Sequence, residues 1–551
     1  MSALVLGPVL RHVDETTATV WVELAERGTV TLVVHPEDGP PVRRDTHTFT
    51  VHGHHYAVLE VDGLAPGSTS TYDVIVGGGS VWPPARSPYP PSRIRTLDPA
   101  APLRLLFGSC RTSVPHDAQG NRVHGIDVLR AYALQMTRTD PRQWPTLVLF
   151  LGDQVYADEA SERMREFIAA RRDVTEPPYD ELRDYEEYAH LYRLSWADPA
   201  NRWLLSTLPS AMIFDDHDIR DDWNTSAAWR DAMNRTGWWH DRIVGGLASY
   251  WVYQHLGNLS PVERRASGLV AEVLRVGRDG DAGAVLDAFA ERTDREPERG
   301  HWSYARDLGA SRLVVLDTRC GRVLDERDRQ MLDDREMRWF EDQATGDVDH
   351  LVIASTLPFL LPMGLHHLEA WDEAVTGGAW GRLAARLGER LRQGVDLEHW
   401  AAFQQSFQRV ARTVLSVARG ERGRPPATVL FLSGDVHHSY LAEVRRDGRG
   451  STPVGESRLL QAVCSPIRNP LPRWIRFASA TSAYGLAWPM GLLVARSARV
   501  PDPPFRWSLT NGPWFDNAIA TLDLDGRRAR LRWDTAEAAD RLTPLQSATL
   551  S

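Results

Sequence analysis

Seven side chains of four chemical kinds stand just beyond short apolar runs: Cys110, Asp153, Tyr156, Asp216, His217, Asp435 and His437. A thiolate and a phenolate together favour a trivalent or softer transition metal, whereas carboxylates suit calcium, magnesium or manganese. One such set can hold two ions when a carboxylate bridges them at about 3.5–4 Å, clamping the attacking and leaving oxygens of a phosphoryl transfer. Asp215-Asp216-His217-Asp218 is the most telling run, because three carboxylates around a histidine repel one another unless a cation sits among them. Gly434-Asp435-Val436-His437-His438 is a second. Gly-Asp after a strand is by itself more often a turn, and a lone cysteine there is usually a small buried residue. Their recurrence at successive run ends is what points to one site.

The elements that must position these residues are legible as well. Leu103–Phe107 ends in Gly108-Ser109-Cys110, Thr146–Leu151 in Gly152-Asp153-Gln154-Val155-Tyr156, and Ala211–Phe214 in the Asp-Asp-His-Asp run. Arg312–Leu316 ends in Asp317-Thr318-Arg319, Leu351–Ala354 in Ser355-Thr356, and Thr428–Leu432 in Ser433-Gly434-Asp435. Apolar runs of this length suit strands buried on both faces and covered by helices. In such α/β sheets ligands bind beyond the carboxyl ends of the strands, so the six ends predict one shared site. Leu397–Arg419 has helical apolar spacing.

The first hundred residues follow a different grammar. Thr17–Val22, Thr29–Val34 and Tyr56–Val61 are β-branched or alternating, with Gly, Pro and Asp between them. Leu64-Ala65-Pro66-Gly67 followed by Tyr72 resembles the tyrosine corner of fibronectin type III domains, whose hydroxyl ties back to the backbone. A Gly/Pro-rich run leads to Arg93–Leu97, which sets the domain boundary near residue 98. Residues 1–98 are then an accessory β domain and 99–551 the catalytic one. Insertions fall at about 257–300 and 470–510. Asp525-Gly526, between Ala518–Leu524 and Arg528–Trp533, signals a two-residue hairpin.

The 551 residues carry a net charge of −10, which excludes a nucleic-acid binder working through one large basic face. There is no lysine, so P-loop, kinase and Schiff-base lysine chemistry is excluded, and a phosphate must be neutralised by metal ions and arginine. Arg111 and Arg319 are the favoured phosphate clamps, and Asn224 is a further substrate or ligand contact or a helix cap. Cys110, Cys320 and Cys464 form no disulfide framework, and neither a signal peptide nor a membrane span is apparent. The expectation is a cytoplasmic protein. The apolar, tryptophan-bearing stretch 474–496 is read as core packing rather than a peripheral membrane contact.

Gly108-Ser109-Cys110, Gly152-Asp153-Gln154-Val155-Tyr156, Asp215-Asp216-His217-Asp218 and Gly434-Asp435-Val436-His437 together resemble the PhoD-like alkaline phosphatases among the calcineurin-like metallophosphoesterases. Asp317-Thr318-Arg319, and an N-terminal domain running from Gly7-Pro8-Val9 to Arg95-Thr96-Leu97, resemble further elements of that family. The resemblance implies a four-layer αββα sandwich preceded by a small all-β, fibronectin III/Ig-like domain. It implies hydrolysis of phosphate monoesters and diesters by a metal-activated hydroxide, with iron and calcium as cofactors; zinc or manganese are the alternatives. Cys110, Tyr156 and His437 would hold iron, Asp153 would bridge, and Asp216 and Asp435 would hold the second ion. His217 would act as acid on the leaving group, with Asp218 orienting its ring. The partner is then a small phosphate ester, with no specific nucleic-acid partner. Rival readings are a lipid or nucleic-acid phosphodiesterase and a catalytically inactive binding or scaffold protein. Relatives commonly carry a twin-arginine signal, which is not seen here.

Overall fold

The computed structural model describes residues 3–445, 455–470 and 487–551. Its first part is all β. One four-stranded sheet runs Leu4–Val13, Ala18–Leu24, His54–Val61, Phe49–Val51. A second runs Val42–His47, Thr29–Pro36, Thr69–Val76, Gly79–Trp82, with Arg93–Arg95 paired to Thr69–Val76. Val20, Val22, Leu32, Val34, Leu59 and Val74 fill the core between them.

The strand Ala18–Leu24 is buried at every residue, because both of its faces are covered. Ala18, Val20 and Val22 face the domain's own core, while Trp21 joins Tyr56, Tyr185, Trp196 and Tyr253 in the large core of the chain. Period-2 side-chain alternation separates the two destinations. Tyr72 departs from the tyrosine-corner expectation. Its hydroxyl donates to the carbonyl of Ser206 at 2.6 Å, tying the β domain to the helix Pro199–Thr207 rather than to its own backbone.

The remainder is built on two mixed sheets. The first runs Ser210–Ile213, Leu147–Leu151, Leu103–Gly108, Ala518–Asp525, Arg528–Ala538, Arg541–Thr549. The second runs Tyr304–Leu308, Ser311–Leu316, His350–Ser355, Thr428–Ser433, Arg458–Val463, Ser439–Val444, Trp507–Trp514. Alternation again assigns the faces. Leu313, Val315, Val352, Ala354, Leu430 and Leu432 share a core with Leu105, Leu149 and Leu522 of the first sheet. Val314, Leu316, Leu351, Ile353, Val429 and Phe431 point the other way, against the helices Asp334–Gln343 and Gln404–Ala418. On the far side of the first sheet lies the helix Val128–Met136. This is the expected αββα sandwich behind an all-β region.

Each apolar run is a strand to within a residue or two, and the Asp525-Gly526 hairpin forms. The helix expected from residue 397 begins only at Gln404, after a 3₁₀ turn over Trp400–Ala402. Glu398 and His399 therefore lie in irregular backbone. Residues 261–295 form three helices, and Gly277 of Gly268–Asp279 sits against the backbone of Thr50 in the β domain. Residues 471–486, much of the 474–496 stretch, lie outside the described residues; Ala487–Ser497 is a helix.

Candidate metal centre

The strands Leu103–Gly108, Leu147–Leu151 and Ser210–Ile213 are parallel neighbours, so their carboxyl ends leave the first sheet on one edge. Ser311–Leu316, His350–Ser355, Thr428–Ser433 and Arg458–Val463 do the same in the second. The loops at these ends turn sharply. Cys110, Asp153, Asp435 and His437 have positive φ of 56°, 50°, 64° and 50°. Such backbone is uncommon away from glycine and costs about 1–3 kcal/mol a residue, and it persists where the surroundings over-determine it. Glycines let the loops close up. At Gly152 (φ 93°) a Cβ would fall 2.5 Å from Asp215 Cβ, and at Gly434 it would fall 2.0 Å from Ser109 Oγ. Asp435 N donates to that same Ser109 Oγ at 3.1 Å, stitching the two sheets together.

Asp153, Asp215 and Asp216 each bring a carboxylate oxygen within 4.8 Å of the others, and all three are buried. Burial pushes all three carboxyls above the usual range. Mutual repulsion adds to this at Asp153 and Asp215. Of the chain's own cations, Arg319 answers them most directly. Arg319, fully buried, binds Asp215 through Nε, lies 3.1 Å from Asp216 Oδ1, 2.5 Å from Glu398 Oε1 and 3.8 Å from Asp435 Oδ1. Glu398 is held at about 2 despite burial, by Arg319 and Arg322. Arg319, Arg322, His217 and His399 are outnumbered by the carboxylates around them, and a metal ion would offset the remaining negative charge in this dry site.

The remaining donors complete the set. Cys110 Sγ lies 3.2 Å from Asp153 Oδ2 and 3.7 Å from the Asp435 carbonyl. Burial and the Asp435 charge push its thiol up to about 12, so it ionises only beside a cation. Burial lowers His437 to about 4, leaving the neutral imidazole a metal needs. Asp153 Oδ1, Asp215 Oδ2 and His437 Nδ1 are buried with no hydrogen-bond partner. Buried acceptors of this kind are otherwise costly. Thiol, phenol, imidazole and carboxylates are thus a donor set that fits metal cations.

His217 packs its ring 4.7 Å from that of Tyr156, centroid to centroid. Its Nδ1 lies 3.0 Å from both oxygens of Asp158, and Nε2 lies 3.7 Å from Asp221 Oδ1. Burial opposes its charge, but Asp158 and Asp216 raise its pKa well above the ordinary value. The expectation that Asp218 orients this ring is therefore corrected. The Asp218 carboxylate turns inward and accepts the backbone N–H of Asp153 and of Asp215, each at 2.9 Å, and that of Val155 at 3.4 Å. It shapes two motif loops at once.

The arginines are also placed differently from a substrate clamp. Arg111 is enclosed, with Nη2 and Nε on Asp127 Oδ2 at 2.8 and 3.0 Å and Nη1 on the Ser195 carbonyl at 2.9 Å. Arg319 is committed to the carboxylates, and the Asn224 amide donates to the Arg319 carbonyl at 3.2 Å.

Sequence reasoning passed over Asp158, Glu398, His399 and Asn469. Asn469 sits against both Tyr156 and His437. His399 bridges Glu369 Oε1 (2.8 Å) and Asp435 Oδ2 (3.2 Å). Its one sequence signal, charged residues ahead of an apolar helix, was absorbed into the helix itself.

Residues 126–473, more than half of the chain, match the family model described as PhoD-like phosphatase. Residues 1–94 match a domain of unknown function, DUF7800. No curated protein matches the chain. A solved structure titled "Structure of PhoD" aligns over 100% of this chain and 89% of its own, at 13% identity and a TM-score of 0.60. Purple acid phosphatase PPD1 from yellow lupin (Lupinus luteus) seeds aligns over 99% and 74%, at 11% identity and a TM-score of 0.51. These likenesses concern the fold, and the family match spans the strand ends that carry Asp153, Asp216 and Asp435. The chain belongs to the PhoD-like phosphatase family and is a phosphoric ester hydrolase.

Proposed function

We propose that the protein hydrolyses phosphate monoesters and diesters at a centre of iron and calcium, with zinc or manganese as substitutes. Cys110, Tyr156 and His437 would hold the iron, Asp153 would bridge, and Asp216 and Asp435 would hold the second ion. When bound, the ions supply positive charge that polarises the phosphoryl group and acidifies water. The chain's own residues do the rest. His217 keeps a proton on Nε2 for the leaving oxygen, while Asp158 accepts from Nδ1 and fixes the ring. Arg319 is a positioning residue that holds Asp215, Asp216 and Glu398 in register. Asp218 fixes the loops of Asp153 and Asp215.

The observation that carries this reading is the convergence of three buried carboxylates and a thiol at the strand ends of the first sheet, with Asp435 of the second sheet joined to them through Cys110 and Arg319. We assign residues 1–98 to an accessory β domain and 99–551 to the catalytic domain. The three cysteines, buried and unpaired, support a reducing compartment such as the cytoplasm.

Elemental analysis of the purified protein, with its visible spectrum and phosphoester turnover, tests the proposal. Bound iron with a tyrosinate band that Tyr156→Phe removes supports it. Protein without metal, and without a gain in turnover on adding iron and calcium, overturns it in favour of a scaffold.

A further inference from the structure

The helix Arg382–Gly394 turns an apolar stripe to solvent. Leu383, Leu387 and Leu391 recur every fourth residue and are 76%, 64% and 37% exposed. Trp380 before the helix and Val395 after it are exposed by about half as well, at 48% and 53%. Among its residues Gly388 and Arg392 are the buried ones. A Cβ at Gly388 would meet Thr376 Cγ2 at 2.9 Å, and Arg392 reaches Glu326 at 2.7 Å and Glu389 at 3.1 Å. That line is the face the helix turns to the protein.

At about 100° per residue, Leu383, Leu387 and Leu391 run along one side of the outward surface and Arg382, Arg386 and Arg390 along the other. All three arginines are exposed, and none forms a side-chain ion pair among the described residues. Exposed leucines beside guanidiniums that form no ion pair among the described residues are an arrangement folding does not require. The chain as a whole carries −10, so this basic row runs against its overall charge. An exposed helix face with a leucine row, an arginine row and a tryptophan at one end matches a bilayer interface. There leucines enter the boundary between headgroups and acyl chains, and guanidiniums pair with phosphates.

We propose that Arg382–Gly394 docks the protein on an anionic lipid bilayer, with Leu383, Leu387 and Leu391 inserted and Arg382, Arg386 and Arg390 on the lipid phosphates. No helix among the described residues is long and apolar enough to cross a membrane, so this contact lies on the surface. The carboxyl end of the helix leads within a few residues to Glu398 and His399, which bonds Asp435 at 3.2 Å. Docking through this helix would hold the chain segment that enters the metal centre at the bilayer, near phosphoesters carried there. That consequence rests on the phosphoester reading, whereas the docking does not.

The test is co-sedimentation of the full chain with phosphatidylcholine vesicles, with and without about a quarter phosphatidylglycerol. Binding to the anionic vesicles that weakens with salt is expected. The double variants Leu383→Ser/Leu387→Ser and Arg382→Glu/Arg386→Glu should each weaken it at least about tenfold, with unchanged melting and unchanged turnover of a soluble nitrophenyl ester. Absent binding, equal binding to neutral vesicles, or equal binding by the variants overturns the proposal. So does a dimer that the leucine changes dissociate, which would assign the stripe to a second copy. Vesicle binding without any ester turnover would leave the docking standing and remove the phosphoester reading.

Discussion

The carboxylate of Asp158 lies 3.0 Å from Nδ1 of His217, with both of its oxygens at that distance. Asp158 comes from the loop after Tyr156 and His217 from the loop after Ser210–Ile213, so the pair joins two strand ends of the same sheet. The consequence concerns leaving groups. An acid is needed most when the departing alkoxide is a poor leaving group. Asp158→Asn should lower turnover of an alkyl phosphate about 10- to 100-fold and that of a nitrophenyl phosphate much less. His217→Ala should show the same split more strongly, about 10²- to 10⁴-fold on the alkyl ester. Steady-state kinetics on the two esters decide the matter: equal losses on both would remove the acid role.

Much of this site was readable because buried strands are continuous apolar runs and ligands follow their ends. Cys110, Asp153, Asp216, Asp435 and His437 are candidates on that ground, and each stands just beyond the end of its strand. Asp158 and Glu398 were not, because they lie on irregular segments whose approach is set by tertiary path rather than by spacing. The resemblance implies that Asp218 orients the His217 ring, whereas the backbone turns its carboxylate toward the N–H groups of Asp153 and Asp215. Arg111 and Arg319 sit next to motif residues as clamps would, and only their buried partners show the guanidiniums to be engaged. The Tyr72 hydroxyl was expected to bond locally, and the acceptor lies on a helix far along the chain.

Asp153 separates function from stability. Its carboxylate is buried among Asp215, Asp216 and the Cys110 thiol, and that crowding is unfavourable unless a cation is bound. Asp153→Asn should abolish phosphoester turnover and reduce bound metal. In chelator-treated protein the same change should raise stability by about 1–2 kcal/mol, because one of the repelling charges is gone. Denaturant melts of both chelated proteins measure this. A variant that is inactive and also less stable without metal would assign Asp153 a structural role.

Tyr72 tests how the two parts of the chain are joined. The donor and the Ser206 carbonyl are both buried, so removing the hydroxyl leaves an acceptor without its partner. Tyr72→Phe should cost about 1–3 kcal/mol in denaturant unfolding with little change in turnover. A variant as stable as the parent would show that this bond contributes nothing net to the junction.

His54 supplies a pH dependence to the same junction. Its Nδ1 lies 3.0 Å from Glu23 Oε1 and its Nε2 2.7 Å from Glu186 Oε2, linking the β domain to the helix Tyr185–Trp196. Burial alone would lower its pKa, but the two carboxylates outweigh it and raise the value to about 9. A histidine raised above its unfolded value of about 6.5 stabilises the fold when protonated. That contribution is complete below about pH 6.5 and is lost as pH rises through about 9. Glu186 is partly exposed, so solvent screening reduces the effect to the order of 1–2 kcal/mol. Unfolding free energies at pH 6 and pH 9.5 should therefore differ more in the parent than in His54→Gln. Equal pH dependence in the two proteins would show that the charge on His54 does not hold the junction.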